Sequence, residues 1–230
     1  MRSKQKSWFL IALAGSMLLA PSSILIKVLG PSYDPFFLNA MRFSIAACVA
    51  LPWTIKLLPL LRAKAAKAML EACLFLTVSA TTMVLAVTHG PASYAATIQL
   101  LAPLLLVWYS KRLTGEKIAR KTAVGLAFAA VGAACITLMP IALHQRGTFE
   151  FYPLATLFGL LNVIFYPLAT VEYRRVHENF KLPLLGLFGF SAICIASVNW
   201  LLWIVIGETR LPVVTTPDVM IFVYLGVYVS

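Results

Sequence analysis

A chain of 230 residues in which 61% are hydrophobic and only 12% charged excludes a single soluble core wrapped in a polar shell, where about a quarter of the residues carry charge. What remains is a polytopic membrane protein of the all-α class. The net charge of +11 invites a nucleic-acid reading, but the basic residues sit in short loops between apolar runs, so they set topology and no nucleic-acid partner is expected.

Apolar runs predict seven complete spans, at about residues 8–29, 35–55, 68–88, 92–110, 122–139, 154–171 and 184–206, with an eighth beginning near Asp218. Arg2, Lys4 and Lys6 precede a first run that continues to Ile26 and is followed by further spans, which fits an uncleaved helix better than a signal peptide. With the N-terminus inside, fifteen of the nineteen Lys and Arg residues face the cytoplasm, the orientation that basic loops favour. The expected location is the inner or plasma membrane.

In the first span Gly15 is followed by Pro21, whose missing N–H frees the Met17 carbonyl beside Ser22 and Ser23. The sixth span has a similar rhythm, Gly159 and then Asn162, Tyr166 and Pro167. Interrupted apolar segments at matching places point to a transporter's binding site, and prolines in spans also serve packing alone. The second span carries Arg42 on the face of Asn39, Ala46 and Val49. A charged residue there is a functional-site candidate by default; it either attracts an anionic group of a solute or snorkels to the outer headgroups. Lys27 and Glu71, nearer the interfaces, read as snorkelling anchors.

The fourth span, 19 uncharged residues from Ala92 to Ser110, is the most informative. Helical winding gathers Ala92, Ala95, Ala96, Ala102 and Pro103 around Gln99, with Tyr94, Ile98, Leu101 and Leu105 on the other side. Pro103 has no N–H for the Gln99 carbonyl, so backbone and side-chain polarity coincide near mid-membrane. Such groups survive only against protein or a wet cavity. The fifth span has a small face containing Gly125, Ala129, Gly132 and Ala133, suited to close helix packing within the monomer or to a homodimer contact. Trp200 and Trp203 of the seventh are placed towards the outer interface, where indoles are favoured.

Cys48, Cys73, Cys135 and Cys194 fall in four different apolar segments without C-x-x-C spacing and read as reduced packing residues. The three histidines lie in loops, and no His/carboxylate or His/Cys cluster, nucleophile elbow or Walker A motif occurs. No metal, cofactor or enzymatic activity is expected.

The turn Gly90-Pro91, then Ser93, Ala96 and Pro103, the loop Leu113-Thr114-Gly115-Glu116-Lys117 and the Gly-rich helix after it resemble the second half of an EamA domain, the repeat of the drug/metabolite transporter superfamily. The stretch from Asp34-Pro35-Phe36 to Arg42 is similar to the same domain's second helix, and the likeness covers about residues 8–140. The resemblance implies two inverted five-helix repeats, the first at 8–140 and the second at 152–230. A repeat of 132 residues from Trp8 to Met139, restarted at Tyr152, would end near residue 283, so about 7.5 of ten spans and a C-terminally truncated second repeat are expected.

By the same resemblance, spans one, three, four and six, with eight and nine of the second repeat, line a central cavity. Met17 and Pro21, Thr81, Tyr94, Gln99 and Pro103, then Asn162 and Tyr166, are placed in it, and Arg42 joins them on charge alone. The function this implies is export of small organic metabolites, such as amino acids or drug-like solutes, by alternating access, with proline breaks at 21, 103 and 167 as hinges. A non-transporting remnant or accessory helix-packing subunit is the rival. The partners expected are a small-molecule substrate, the lipid bilayer and, through the fifth span, a second copy.

Overall fold

The computed structural model describes residues 21–115, 119, 122, 124–128, 131–132, 152–207 and 212–229, and every regular element among them is helical. In chain order they are α1 (Ser22–Leu29), α2 (Pro35–Leu57), α3 (Ala63–Thr88), α4 (Ala92–Gln99), α5 (Ala102–Tyr109), α6 (Pro153–Phe180), α7 (Leu184–Val205) and α8 (Thr216–Tyr224). Among the described residues, five uninterrupted or once-interrupted stretches are long and apolar enough to cross a membrane: 35–60, 63–88, 92–114, 153–180 and 184–205. The protein is a polytopic helical bundle. The opening of the first predicted span and most of the fifth lie outside the described residues.

Helix starts are written in the sequence. Asp34 accepts from the Phe36 and Phe37 amides at 2.8 and 3.3 Å ahead of Pro35 at the first helical position, which satisfies two orphan donors of α2. At α8, Asp218 accepts from the Thr215 amide in a capping box. Ends are less faithful to prediction. α6 runs nine residues beyond the expected limit, to Phe180, and Arg174–Glu178 and Arg175–Glu172 pairs at 2.8 and 2.6 Å support its polar last turns.

Two helix pairs dominate, α2 against α7 and α3 against α6. The first is a seam of small residues. A Cβ on Gly189 would stand 2.8 Å from Ala50 Cβ, and one on Gly186 3.0 Å from Leu57 Cβ. Ala46, Ala192 and Ala196 continue the seam, so the two backbones approach as only small side chains allow. Towards the ends of α2, α7 and α8, Phe37 meets Trp200 and Trp203 at ring distances of 5.6 and 5.5 Å and Phe222 at 6.4 Å. Both indoles also have partners within the protein: Trp203 is buried, and Trp200 donates to Ser44 at 3.0 Å.

Lys27 also departs from expectation. Its ammonium turns inward onto the carbonyls of Val87, Thr88 and Gly90 at 3.2, 3.4 and 2.9 Å. It caps the C-terminus of α3, where acceptors lack intrahelical donors and the helix dipole favours a cation. Lys27→Met should cost about 1–3 kcal/mol, the loss of a charge-assisted hydrogen bond with carbonyls left short of donors. A depressed Tm in detergent, largely restored in Lys27→Arg, checks it; an unchanged Tm would put Lys27 at the interface after all.

Candidate functional site

The predicted interruption of the fourth span is present, one turn earlier than its proline. α4 ends at Gln99, α5 begins at Ala102, and the joint is held by three-residue turns, Leu100 N–H to the Thr97 carbonyl and Leu101 N–H to that of Ile98, both 3.1 Å. Pro103, exposed on α5, cannot return a hydrogen bond to Gln99, which explains why the helix tightens and stops there.

Gln99 at this joint faces α6. Its Nε2 donates to Asn162 Oδ1 at 3.4 Å, and Asn162 Nδ2 donates in turn to the carbonyl and hydroxyl of Ser79 on α3 at 2.9 and 3.0 Å. Asn162 is buried and Gln99 half-buried. The amide of Asn162 uses both its hydrogens on α3, so the fixed part of this seam is α3–α6 and the loose part is α4. The bond at 3.4 Å is at the weak end of the range. The approach of α4 is set by Gly159, where a Cβ would come within 3.0 Å of Ile98 Cδ1. Two turns from Asn162, Tyr94 OH lies 2.6 Å from Thr156 Oγ1 and its ring packs edge-on against Tyr152 at 5.7 Å. The result is a line of neutral donors and acceptors, able to hold amide, hydroxyl or carbonyl groups.

Other predicted residues are placed apart from this line. Thr81 bonds across α3 and α7, where Asn199 Nδ2 donates to its hydroxyl at 3.0 Å. Tyr166 is 50% exposed on the outer side of α6, and α6 continues without interruption through Pro167, so the hinge expected at 167 is not an interruption of the helix. Pro21 stands half-buried at the N-cap of α1 with its carbonyl accepting from Leu25 at 2.9 Å. Met17, Ala129 and Ala133 lie outside the described residues. Gly125 and Gly132 are exposed, with nothing within 4 Å of where a Cβ would be, so neither glycine is used for packing against a described neighbour.

Arg42 is buried on α2, its guanidinium 4.7 Å from the Phe43 ring centroid. Its helix lies against α7 and the turn 225–229, where a Cβ on Gly226 would come 2.8 Å from the Arg42 carbonyl. One turn away, Asn39 is wholly buried with no hydrogen-bond partner for either amide atom among the described residues. Sequence reading missed Ser79, Thr156 and Asn199. Their only signal was a polar side chain within a span, which is blunted by local bonding to the backbone, as with Thr77 and Thr82 on α3.

The EamA-like transporter family is matched over residues 6–138. A solved structure, described only as a crystal structure of a protein, superposes with a TM-score of 0.64 over 93% of this chain and 74% of its own at 20% identity, a likeness of fold alone. No curated protein matches the chain. With the family match covering more than half its length, the chain belongs to the EamA-like transporter family.

Proposed function

We propose that the protein exports small polar organic solutes across the cell membrane, with its N-terminus in the cytoplasm, by alternating access around the line from Ser79 through Asn162 to Gln99. The observation that carries this reading is the helix joint at Gln99, where a weak 3.4 Å hydrogen bond is all that the side chains supply between α4 and the tightly held Asn162. A solute's carbonyl or hydroxyl can take over that bond at little cost. Tyr94 and Thr156 offer a second polar contact on the same wall.

An inverted-repeat arrangement, in which spans one, two and three correspond to six, seven and eight, is supported by the pairing of helices. Exchanging the halves maps α2–α7 onto itself and α3–α6 onto α8–α1, and α1 does touch the turn 225–229 that continues α8. Gly125 and Gly132 have no described neighbour within 4 Å of a Cβ position, which supports homodimerisation through the fifth span as part of the proposal.

The test is thermal unfolding of the full chain in detergent against a panel of amino acids and amphipathic organic amines. At least one should raise Tm of the wild type by several degrees, and Gln99→Ala should abolish that shift while moving the unliganded Tm little. A shift that survives in Gln99→Ala would place the solute elsewhere; no shift from any solute would favour the accessory-subunit reading.

A further inference from the structure

α6 packs on α3 and α7 on α2, and between α6, α7 and the side of α3 lies a groove of about 590 Å³ that shares no residue with the line from Ser79 to Gln99. Its apolar wall is Leu76 of α3 with Leu184 and Phe188 of α7. The hydroxyls that also line it have partners in the bundle. Thr170 donates to the Tyr166 carbonyl at 2.9 Å, Ser191 donates to the Leu187 carbonyl at 2.8 Å, and the Tyr173 hydroxyl meets Cys73 Sγ at 3.1 Å. What the wall offers a ligand is therefore hydrocarbon surface. Thr170 and Leu184 are exposed, so the groove opens sideways from the bundle, where the spanning stretches of α6 and α7 meet acyl chains.

The other end of the groove is charged. α6 carries no charge from Pro153 to Val171, and Glu172, Arg174, Arg175, His177 and Glu178 follow before it ends at Phe180, so the bilayer boundary falls at this end of the helix. Three of them, Arg174, His177 and Glu178, line the groove. Arg174 Nε donates to Glu178 Oε1 at 2.8 Å, with the two side chains 51% and 52% exposed. A surface pair of this kind is held weakly. It places one cation and one anion side by side on the rim. A guanidinium presents a fork of donors that suits a phosphate, and a carboxylate accepts at several lone pairs, so each partner can take a second ion of opposite sign. His177 is fixed alongside, its Nδ1–H donating to the Leu182 carbonyl at 2.6 Å.

We propose that this groove binds one phosphatidylethanolamine molecule, its phosphate on Arg174, its primary ammonium on Glu178 and an acyl chain along Leu76, Leu184 and Phe188. From Glu178 to Thr170 the groove follows α6 for about 12 Å, at about 1.5 Å per residue, which carries it from the headgroup level into hydrocarbon. The rim selects the headgroup by charge and by donors. Phosphatidylcholine has the same net charge, but its quaternary ammonium has no N–H to give the carboxylate. Phosphatidylglycerol brings a phosphate without a cation and meets Glu178 as a like charge. The ethanolamine zwitterion adds two charge-assisted contacts to one exposed ion pair, and signs alternate around the rim.

Native mass spectrometry of the full chain, stripped of lipid in detergent and then mixed with dioleoyl lipids of each headgroup, is the test. One phosphatidylethanolamine should be retained about tenfold more tightly than phosphatidylcholine or phosphatidylglycerol, the factor expected of a charge-assisted hydrogen bond. Glu178→Ala should erase the preference over phosphatidylcholine, and Arg174→Ala should weaken retention of both. Thr170→Trp, at an exposed position, should fill the groove and remove the tight site without lowering Tm. If that variant does not fold, Glu178→Ala, also at an exposed position, decides the matter. Equal retention of all three lipids, as in a simple annulus, would overturn the proposal. So would a preference for phosphatidylglycerol, or one for phosphatidylethanolamine that survives Glu178→Ala. The readout is independent of whether the chain carries a solute.

Discussion

Asn162→Leu should leave a protein that inserts and folds but carries solute at least tenfold more slowly. Leucine keeps the volume and removes every polar atom that joins Ser79 to Gln99. The folding cost should be modest, about 1 kcal/mol, the usual net value of an intramolecular hydrogen bond. It is not larger because the Ser79 carbonyl keeps another donor, the Thr82 hydroxyl at 3.1 Å. The transport cost should be larger, since Gln99 then has no fixed partner and the solute no oriented amide. Counterflow in proteoliposomes, using whichever solute gives the strongest thermal shift, measures the first quantity, and Tm in detergent the second. Equal proportional losses in both would make Asn162 a packing residue. Ser79→Ala is the matched control. It removes one of two acceptors of the Asn162 amide and should cost transport only a few-fold, because the backbone carbonyl at 2.9 Å still holds Asn162 in place.

How far this site was legible follows from what periodicity reports. Winding a helix tells which residues share a face, so Gln99 and the joint near Pro103 could be read directly, and Asn162 stood out as an amide at mid-span. Winding says nothing about which helix lies opposite. That is why Thr81 is grouped with Gln99 although it bonds to Asn199 on α7, and why winding alone sets Tyr94 on the side away from Gln99 while the resemblance puts both in one cavity. The line Tyr94–Ile98 faces α6 because Gly159 leaves room for Ile98, and Gln99 reaches the same helix from the edge of that face. Lys27 reads from the sequence as a snorkelling anchor for a related reason. Its amphipathic side chain suits an interface by composition, but an unfilled helix terminus takes up the ammonium when the fold brings one within reach.

The small-residue seam shows the same limit from the other side. Gly186, Gly189, Ala192 and Ala196 recur along α7 at three- and four-residue spacing, yet the denser pattern in the fifth span drew the packing argument. The density of small residues on one helix does not name the helix opposite. Both members of a pair must present them at one level, as Ala46 and Ala50 do on α2 opposite α7.

Gly189→Leu should therefore be the most damaging single change in the described bundle. Already at Cβ the new side chain would meet Ala50 Cβ at 2.8 Å and the Ala50 carbonyl at 3.1 Å, with the Thr54 hydroxyl in the way. None of these can rotate aside cheaply. Ala50 offers only backbone and a methyl group, and Thr54 Oγ1 is bonded to the Ala50 carbonyl at 3.1 Å. The helices must separate, and overpacking of this kind costs about 1–3 kcal/mol or more. The loss of close backbone contact along the rest of the seam adds to it. The expected result is a Tm lowered well beyond that of Lys27→Met, or no monodisperse protein at all. Gly125→Leu is the informative comparison, because no described residue lies within 4 Å of its Cβ position: the same increase in size should spare the fold of the monomer, and a loss of dimer there would assign the face to the homodimer contact. If Gly189→Leu is as stable as the wild type, α2 and α7 are not packed as described. The inverted-repeat reading then loses the pair that an exchange of halves maps onto itself.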